Sequence, residues 1–159
     1  MKRIVAAALL SVTVAASAQA QAVTAVAHVI ITGGPTPGTY DLSVTRNGCS
    51  SGATGRGSFG TQISDMKVAP TAMGSVQIIV PTPSASGSSV FEVLVRIGSL
   101  LKKTAEFEVN NLPAAKPTGG SGSVKVTDAG ATARLAFDVT TKDGTHLVGT
   151  VDCKSVIRM

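Results

Sequence analysis

The residues best suited to chemistry are the two cysteines, Cys49 and Cys153, which stand 104 positions apart. Such a pair can act as a redox couple or form a structural disulfide. A redox couple typically has Cys-x-x-Cys spacing and a helix start that lowers a thiol pKa, and neither is present in this sequence pattern. In an exported chain two cysteines most often pair, because the compartment is oxidising. The sequence therefore predicts a structural disulfide that closes a long loop.

Histidine chemistry would have to use His28 or His146, since the chain has only these two. A catalytic zinc site takes three protein ligands, typically including closely spaced histidines, and these two are far apart. Asp143 or Asp152 beside His146 offers the alternative of a surface ion site. A Ser-His-Asp set lacks a serine in a G-x-S-x-G elbow. We predict solvated histidines, no catalytic residue and no metal site.

Two further motifs have both a functional and an ordinary interpretation. Residues 55–60, Gly-Arg-Gly-Ser-Phe-Gly, match the dinucleotide fingerprint G-x-G-x-x-G, but no helical period follows them. Glu106 and Glu108 share one face of a predicted strand, as a glycosidase pair could. Sugar sites use aromatic platforms, and the chain has four phenylalanines, one tyrosine and no tryptophan. We predict no cofactor and no enzyme activity, with a secreted hydrolase as a minor alternative.

The charge of the chain does not favour nucleic acid. The formal net charge of +5 falls to +3 when the two basic residues at positions 2–3 are removed. Nucleic-acid binding usually needs a dense basic stripe with stacking aromatics. Lys102 and Lys103, with Arg96 and Lys116, form at most a modest basic patch that could touch an anionic envelope surface. Solubilising charges at a hairpin tip are the simpler interpretation.

The N-terminus has the pattern of a secretory signal peptide. A basic start precedes an uncharged apolar run over residues 4–16, and small residues flank the position before Ala20. The run is shorter than the roughly 20 residues of a membrane span. We predict a signal peptide over residues 1–20, cleaved after Ala20 or Ala22, and a single domain over residues 21–159. The mature chain is predicted to have no membrane span.

The elements that would position these residues are strands. Between Ser123 and Cys153 the sequence gives a hairpin, and residues 132–140 alternate apolar with polar side chains. A period of two places the apolar residues on one face of a pleated strand. Leu147 and Val151 share a face with Cys153, so its thiol should point into the core.

Other alternating or apolar segments occur at residues 22–32, 40–45, 63–68, 76–80, 90–97 and 105–109, between loops at 50–60, 82–89 and 113–122. Cys49 has the wrong parity for the strand that precedes it, so we predict an extra residue at Asn47-Gly48, as in a glycine bulge, that turns it inward. The stretch 90–103 also fits a helical spacing. Its β-branched residues and Gly98 favour a strand, and the helix stays open as the alternative.

Eight or nine short strands predict an all-β fold, a two-sheet antiparallel β-sandwich, immunoglobulin-like or similar, with one inter-strand disulfide. An exported, small-residue-rich sandwich of this length resembles bacterial pilus subunits. In that family the first segment can complete a neighbour's sheet, which implies a donor strand at residues 22–32. The cysteines are more widely spaced than in that family, and the end at residues 156–159 lacks its near-terminal tyrosine.

The expected function is therefore that of an exported bacterial β-sandwich protein with a non-catalytic binding or structural role, in the periplasm or outside the cell. It is expected to be monomeric and to contact an unknown protein or an envelope surface through its loops. A polymerising, pilus-like surface subunit that uses residues 22–32 as a donor strand is the alternative. A secreted hydrolase is the second alternative.

Overall fold

The computed structural model describes residues 22–46, 48–99 and 101–159. Eleven strands lie in this part of the chain: β1 (Ala25–Thr32), β2 (Gly38–Val44), β3 (Cys49–Ser51), β4 (Phe59–Ser64), β5 (Met73–Val80), β6 (Glu92–Gly98), β7 (Lys103–Asn110), β8 (Ser121–Asp128), β9 (Ala133–Thr140), β10 (His146–Cys153) and β11 (Val156–Arg158). The same residues contain no helix with the length and apolar character that crossing a bilayer requires. The predicted signal peptide, residues 1–20, lies outside the described residues.

The strands form two sheets. The five-stranded sheet has the order β2-β1-β10-β9-β8, and the six-stranded sheet has the order β11-β3-β4-β5-β6-β7. Buried residues of both sheets make one hydrophobic cluster, so the arrangement is sandwich-like and the all-β, two-sheet prediction is confirmed. The prediction of purely antiparallel pairing is wrong at one place, because β11 pairs with β3 in parallel. β11 follows β10 as the chain leaves the five-stranded sheet, and no hairpin connects it to β3, so it is free to run parallel to β3.

The disulfide joins the two sheets at one corner. Cys49 of β3 and Cys153 of β10 are bonded, and their Cα atoms are 5.9 Å apart, within the usual range of about 4.4–6.8 Å. The opposite end of β10 follows the turn at residues 141–145, which borders a groove shared with Phe107 of β7. One end of β10 thus lies near β3 and the other near β7. Because β4, β5 and β6 lie between β3 and β7, β10 crosses the strands of the six-stranded sheet.

Alternation in the C-terminal hairpin agrees with the structure. In β9 the residues Ala133, Leu135, Phe137 and Val139 are buried, and in β10 every second residue up to Cys153 is buried. The pleat turns these side chains to one side, as their period requires. Cys153 therefore points into the core, as predicted.

The stretch at 90–103 contains a strand, and the helical alternative is wrong. Its buried side chains are Phe91, Val93, Val95 and Ile97. β6 pairs with β5 on one side and β7 on the other, so its backbone groups are satisfied by two neighbouring strands. Branched side chains at alternate positions favour this pairing over a helix.

The region around Cys49 differs from its prediction. Cys49 points inward, but it begins β3 in the other sheet instead of extending β2 past a bulge. The chain changes sheets just before it, at Gly48, where φ is +146° and a Cβ would come within 2.9 Å of the Cβ of Ala25. Only glycine fits that approach without strain. Asn47 lies outside the described residues.

The loop predicted at residues 50–60 is shorter, and its ends are strands. Phe59 begins β4 and is only 2% exposed, and β4 ends at Ser64, before the predicted end at Val68. The buried face of β4 consists of Phe59, Thr61 and Ile63. Because Thr61 is polar and glycine and serine flank Phe59, the sequence shows no clear alternation of apolar and polar residues here. This misplacement, and the short strand β11, account for the difference between eleven strands and the eight or nine expected.

Removing the disulfide tests how much it contributes. The variant with Cys49→Ala and Cys153→Ala should lose about 4 kcal/mol of unfolding free energy, because the bond closes a loop of 104 positions in the unfolded chain. Urea denaturation of the oxidised protein and the variant measures the difference. Reductant should lower the stability of the wild type alone, and a loss below about 1 kcal/mol would contradict the chain-entropy account.

A second prediction concerns the packing of β10 on β9. Gly149 lies opposite Phe137, and a Cβ at position 149 would stand 2.4 Å from the ring and 2.8 Å from the backbone oxygen of His28. Gly149→Ala should therefore destabilise by about 2–3 kcal/mol, as overpacking does. Chemical denaturation measures it. Val148→Thr, one position away on the exposed face, is the control and should stay within about 0.5 kcal/mol.

Candidate functional site

The most distinctive polar cluster lies on the outer face of the six-stranded sheet. It consists of Gln77 from β5, Glu92 from β6, and Glu108 and Asn110 from β7, and we call it the amide–carboxylate cluster. The register places Glu92 opposite Asn110, with Glu108 one diagonal step away. Neighbouring residues of alternate parity fill the core, so the pleat turns these four side chains outward together.

Two side-chain amides hold the carboxylate of Glu92. Gln77 Nε2 donates to Glu92 Oε1 at 2.9 Å, and Asn110 Nδ2 donates to Glu92 Oε2 at 3.1 Å. Asn110 Nδ2 also approaches Glu108 Oε1 at 3.4 Å, while its own Oδ1 accepts from the backbone of Leu112 at 3.1 Å. That last bond fixes which end of the amide faces the carboxylates. Asn110 is only 6% exposed, so the amide shared by the two glutamates is held in place.

The proton affinity of Glu92 is increased by its surroundings. Partial burial raises its pKa above the ordinary value, the nearby charge of Glu108 raises it further, and the hydrogen bond from Gln77 opposes both. Glu92 can therefore retain a proton at a higher pH than an exposed glutamate. The described residues hold no group of three His, Cys, Asp or Glu side chains that could bind a metal ion.

Glu106, considered with Glu108 as a carboxylate pair, has different partners. Burial raises its pKa, but hydrogen bonds and charge from Arg96 and Lys103 outweigh burial, and the net shift is downward. Lys103 Nζ lies 3.0 Å from Glu106 Oε1, and Arg96 bonds the other oxygen. Two members of the suggested basic patch are therefore engaged in ion pairs with Glu106.

The histidines lie on the outer face of the five-stranded sheet, each beside an aspartate. His28 Nδ1 is 2.7 Å from Asp41, and His146 Nε2 is 2.8 Å from Asp138. The suggested partners of His146 are thus engaged elsewhere: Asp152 accepts from Arg134 at 2.8 Å. The side chain of Asp143 accepts from Thr141, a bond that lowers the pKa of Asp143.

The glycine motif forms the turn between β3 and β4. Ser58 donates to the carbonyl oxygen of Gly55 through both its backbone N–H, at 3.0 Å, and its hydroxyl, at 2.7 Å. Phe59 then enters the core as the first residue of a strand. A dinucleotide fingerprint places its glycines between a strand and a helix. This segment instead connects two strands.

A groove of 530 Å³ lies on the same outer face as the cluster, toward the other edge of the sheet. Its lining includes Arg46, Ser50, Gln62 and Ser64. These side chains offer hydrogen bonds and one positive charge, a surface suited to polar contacts.

Comparison with known proteins found no matching family model, no matching curated protein and no matching solved structure. The site is therefore described by its own geometry alone.

Sequence reasoning considered Glu106 and Glu108 but not Glu92, Asn110 or Gln77. The sequence pattern that could indicate them is parity, which places Glu92 on one strand face with Arg96 and Glu108 on one strand face with Glu106. Cross-strand register, which brings Glu92 to Asn110, depends on how the connection between β6 and β7 is built.

The two glutamates of opposite pKa shift give a paired prediction. A raised pKa means that ionised Glu92 costs stability above its folded pKa, and that this cost disappears below the ordinary value of 4.5. Glu92→Gln should therefore raise Tm at pH 7 by about 2 °C. The gain should vanish as the pH falls below that value.

Glu106→Gln is the matched control with the opposite sign. A lowered pKa stabilises the fold above the ordinary value of 4.5, and this stabilisation is lost as the pH falls further. The variant should therefore melt about 2 °C lower at pH 7 and equal the wild type in acid. Thermal unfolding at several pH values checks both, and equal shifts of one sign would contradict the assignment.

Proposed function

We propose that the chain is an exported bacterial protein with a non-catalytic binding or structural role, in the periplasm or outside the cell. The observation that carries the proposal is the bond between Cys49 and Cys153, which joins the two sheets. Disulfides form and persist in oxidising compartments and are rare in the cytosol. The signal-peptide pattern of residues 1–20 supports the same compartment.

The non-catalytic part of the proposal is supported by how the polar side chains are used. His28 and His146 each have an aspartate partner on an exposed sheet face, and Glu106 is held in ion pairs. Nucleophilic catalysis needs a nucleophile within reach of an oriented base. No hydrogen bond in the described part of the chain joins either histidine to a serine or threonine hydroxyl.

The fold we propose is a monomeric two-sheet β-sandwich. The polymerising alternative would use residues 22–32 as a donor strand for a neighbour. In the structure, β1 covers most of that segment and pairs along its length with β2 and β10. Donating it would break both ladders, which favours the monomer over exchange.

Expression in a bacterium tests export. The full chain should appear in the periplasm or medium with its N-terminus at Gln21 or Val23, and alkylation before reduction should find no free thiol. Intact mass with and without reductant measures both properties. The variant lacking residues 2–20 is the control and should stay in the cytosol with both cysteines alkylated. A full-length chain kept in the cytosol with two free thiols would overturn the proposal.

A further inference from the structure

One edge of the six-stranded sheet is open. β7 is the last strand of that sheet and has a single neighbour, β6. The direction of its peptide groups follows from three hydrogen bonds at its end. The backbone N–H and C=O of Asn110 point away from β6. The N–H donates to the hydroxyl of Thr118 at 2.9 Å, and the C=O accepts from the backbone N–H of Thr118 at 3.1 Å. The next residue, Asn111, donates to the oxygen of Phe91, on the β6 side, at 3.1 Å.

Peptide groups alternate in direction along a regularly paired strand, and the pairing of β7 with β6 is regular from Ala105 to Asn110, so Glu106 and Glu108 also point outward. Their backbone N–H and C=O groups have no partner in the part of the chain that the structure describes. The loop before β8 meets the edge only at Asn110 and then crosses to the other sheet, where β8 begins at Ser121. The outward peptide groups of Glu106 and Glu108 are therefore available to another strand.

The edge formed by β8, in contrast, is covered by another segment of the chain. Ser88 and Val124 exchange two backbone hydrogen bonds, at 2.8 and 3.1 Å, and Val126 donates to Ser84 at 2.9 Å. A loop of the chain itself thus occupies the outward groups of β8, which removes a template for foreign strands. The contrast shows that the chain covers one edge and leaves the β7 edge available.

A groove of 430 Å³ runs beside the open edge. One wall is β7, with Phe107 at its base, and the other wall is the turn with Lys142 and Asp143. A strand laid along the edge would place alternate side chains in this groove and the others over the outer face of the sheet. The space beside the outward peptide groups is thus already shaped for side chains.

The charges along the edge define the partner. Glu106 and Glu108 both point to the outer face, where Arg96 and Lys103 already pair with Glu106 and leave Glu108 as the carboxylate without a cation in the described part of the chain. Asp143 contributes a further carboxylate from the turn, beside Lys142. Glu108 has no cation among its partners in the described residues, only the amide of Asn110. Opposite charges across a strand pair are favourable, so a basic side chain suits the outer position opposite Glu108. Small apolar side chains suit the positions beside Phe107.

We propose that the open edge of β7 binds an extended segment of another protein, with Lys or Arg alternating with small apolar residues, as an added strand of the six-stranded sheet. This specifies the binding role proposed above and gives it a surface and a partner chemistry. Main-chain hydrogen bonds supply the affinity of such an addition, and the alternate side chains supply its specificity.

The test uses the purified, oxidised chain and a labelled, capped peptide of about seven residues that alternates valine with lysine. Fluorescence anisotropy should show binding that weakens as salt is added. Amide hydrogen exchange should slow at Glu106 and Glu108. An alternating valine–glutamate peptide should bind at least about tenfold more weakly, because it places like charges opposite each other.

Two changes separate strand addition from simple charge attraction. Backbone N-methylation of the lysine peptide removes its donors and keeps its charge, and should weaken binding by about tenfold or more. Glu108→Pro removes an outward donor that makes no ladder bond, so it should have the same effect while leaving the fold intact. Glu108→Gln keeps the N–H and should weaken binding by about threefold.

Equal binding of the methylated peptide, or unchanged exchange at the amides of Glu106 and Glu108, would overturn the proposal. A dimer in sedimentation that the lysine peptide displaces would assign the edge to a second copy and overturn it as well. None of these measurements depends on export. A failure here therefore leaves the fractionation result standing, and a failure of export leaves the peptide result standing.

Discussion

The bond between Cys49 and Cys153 fixes the corner at which the two sheets meet. The chain has few bulky residues, so its core is filled mainly by valine, isoleucine and alanine, which bury less surface per residue than aromatic side chains. Beyond Cys153 the chain joins the other sheet as β11, and Lys154 donates to Thr24 at 2.8 Å. Both ends of the described chain are therefore arranged around this covalent link.

Alternation predicted the strands wherever one face is buried and the other is solvated. Residues 132–140 and 146–153 obey this rule, and so do their partners in the structure. The rule failed where a buried face includes polar residues, as at Thr61 in β4, and where the chain changes sheets, as at Gly48. Neither event leaves a periodic signal, because burial of threonine and a change of sheet depend on contacts from distant residues.

The candidate cluster was predictable only in part for a related reason. Glu108 attracted notice because another glutamate stands two positions away, a relation visible along one strand. Its actual partners, Glu92 and Asn110, come together through the register of β6 on β7 and through the burial that raises the pKa of Glu92. Register across a connection with a bulge at Ile97 and Gly98 cannot be counted from sequence spacing alone.

The pairing of β1 with β10 determines when this molecule can fold. Its register joins Ala25 to Cys153 and Thr32 to His146, so the first strand waits for β10 to be synthesised. Contacts of such high sequence separation slow folding, because loop closure must be completed before they form. During synthesis the edge of β1 that pairs with β10 has no partner, and a holding chaperone would find it accessible. The five-stranded sheet is therefore completed only after β10 has left the ribosome, whereas β4, β5, β6 and β7 each pair with the strand that follows or precedes them in sequence.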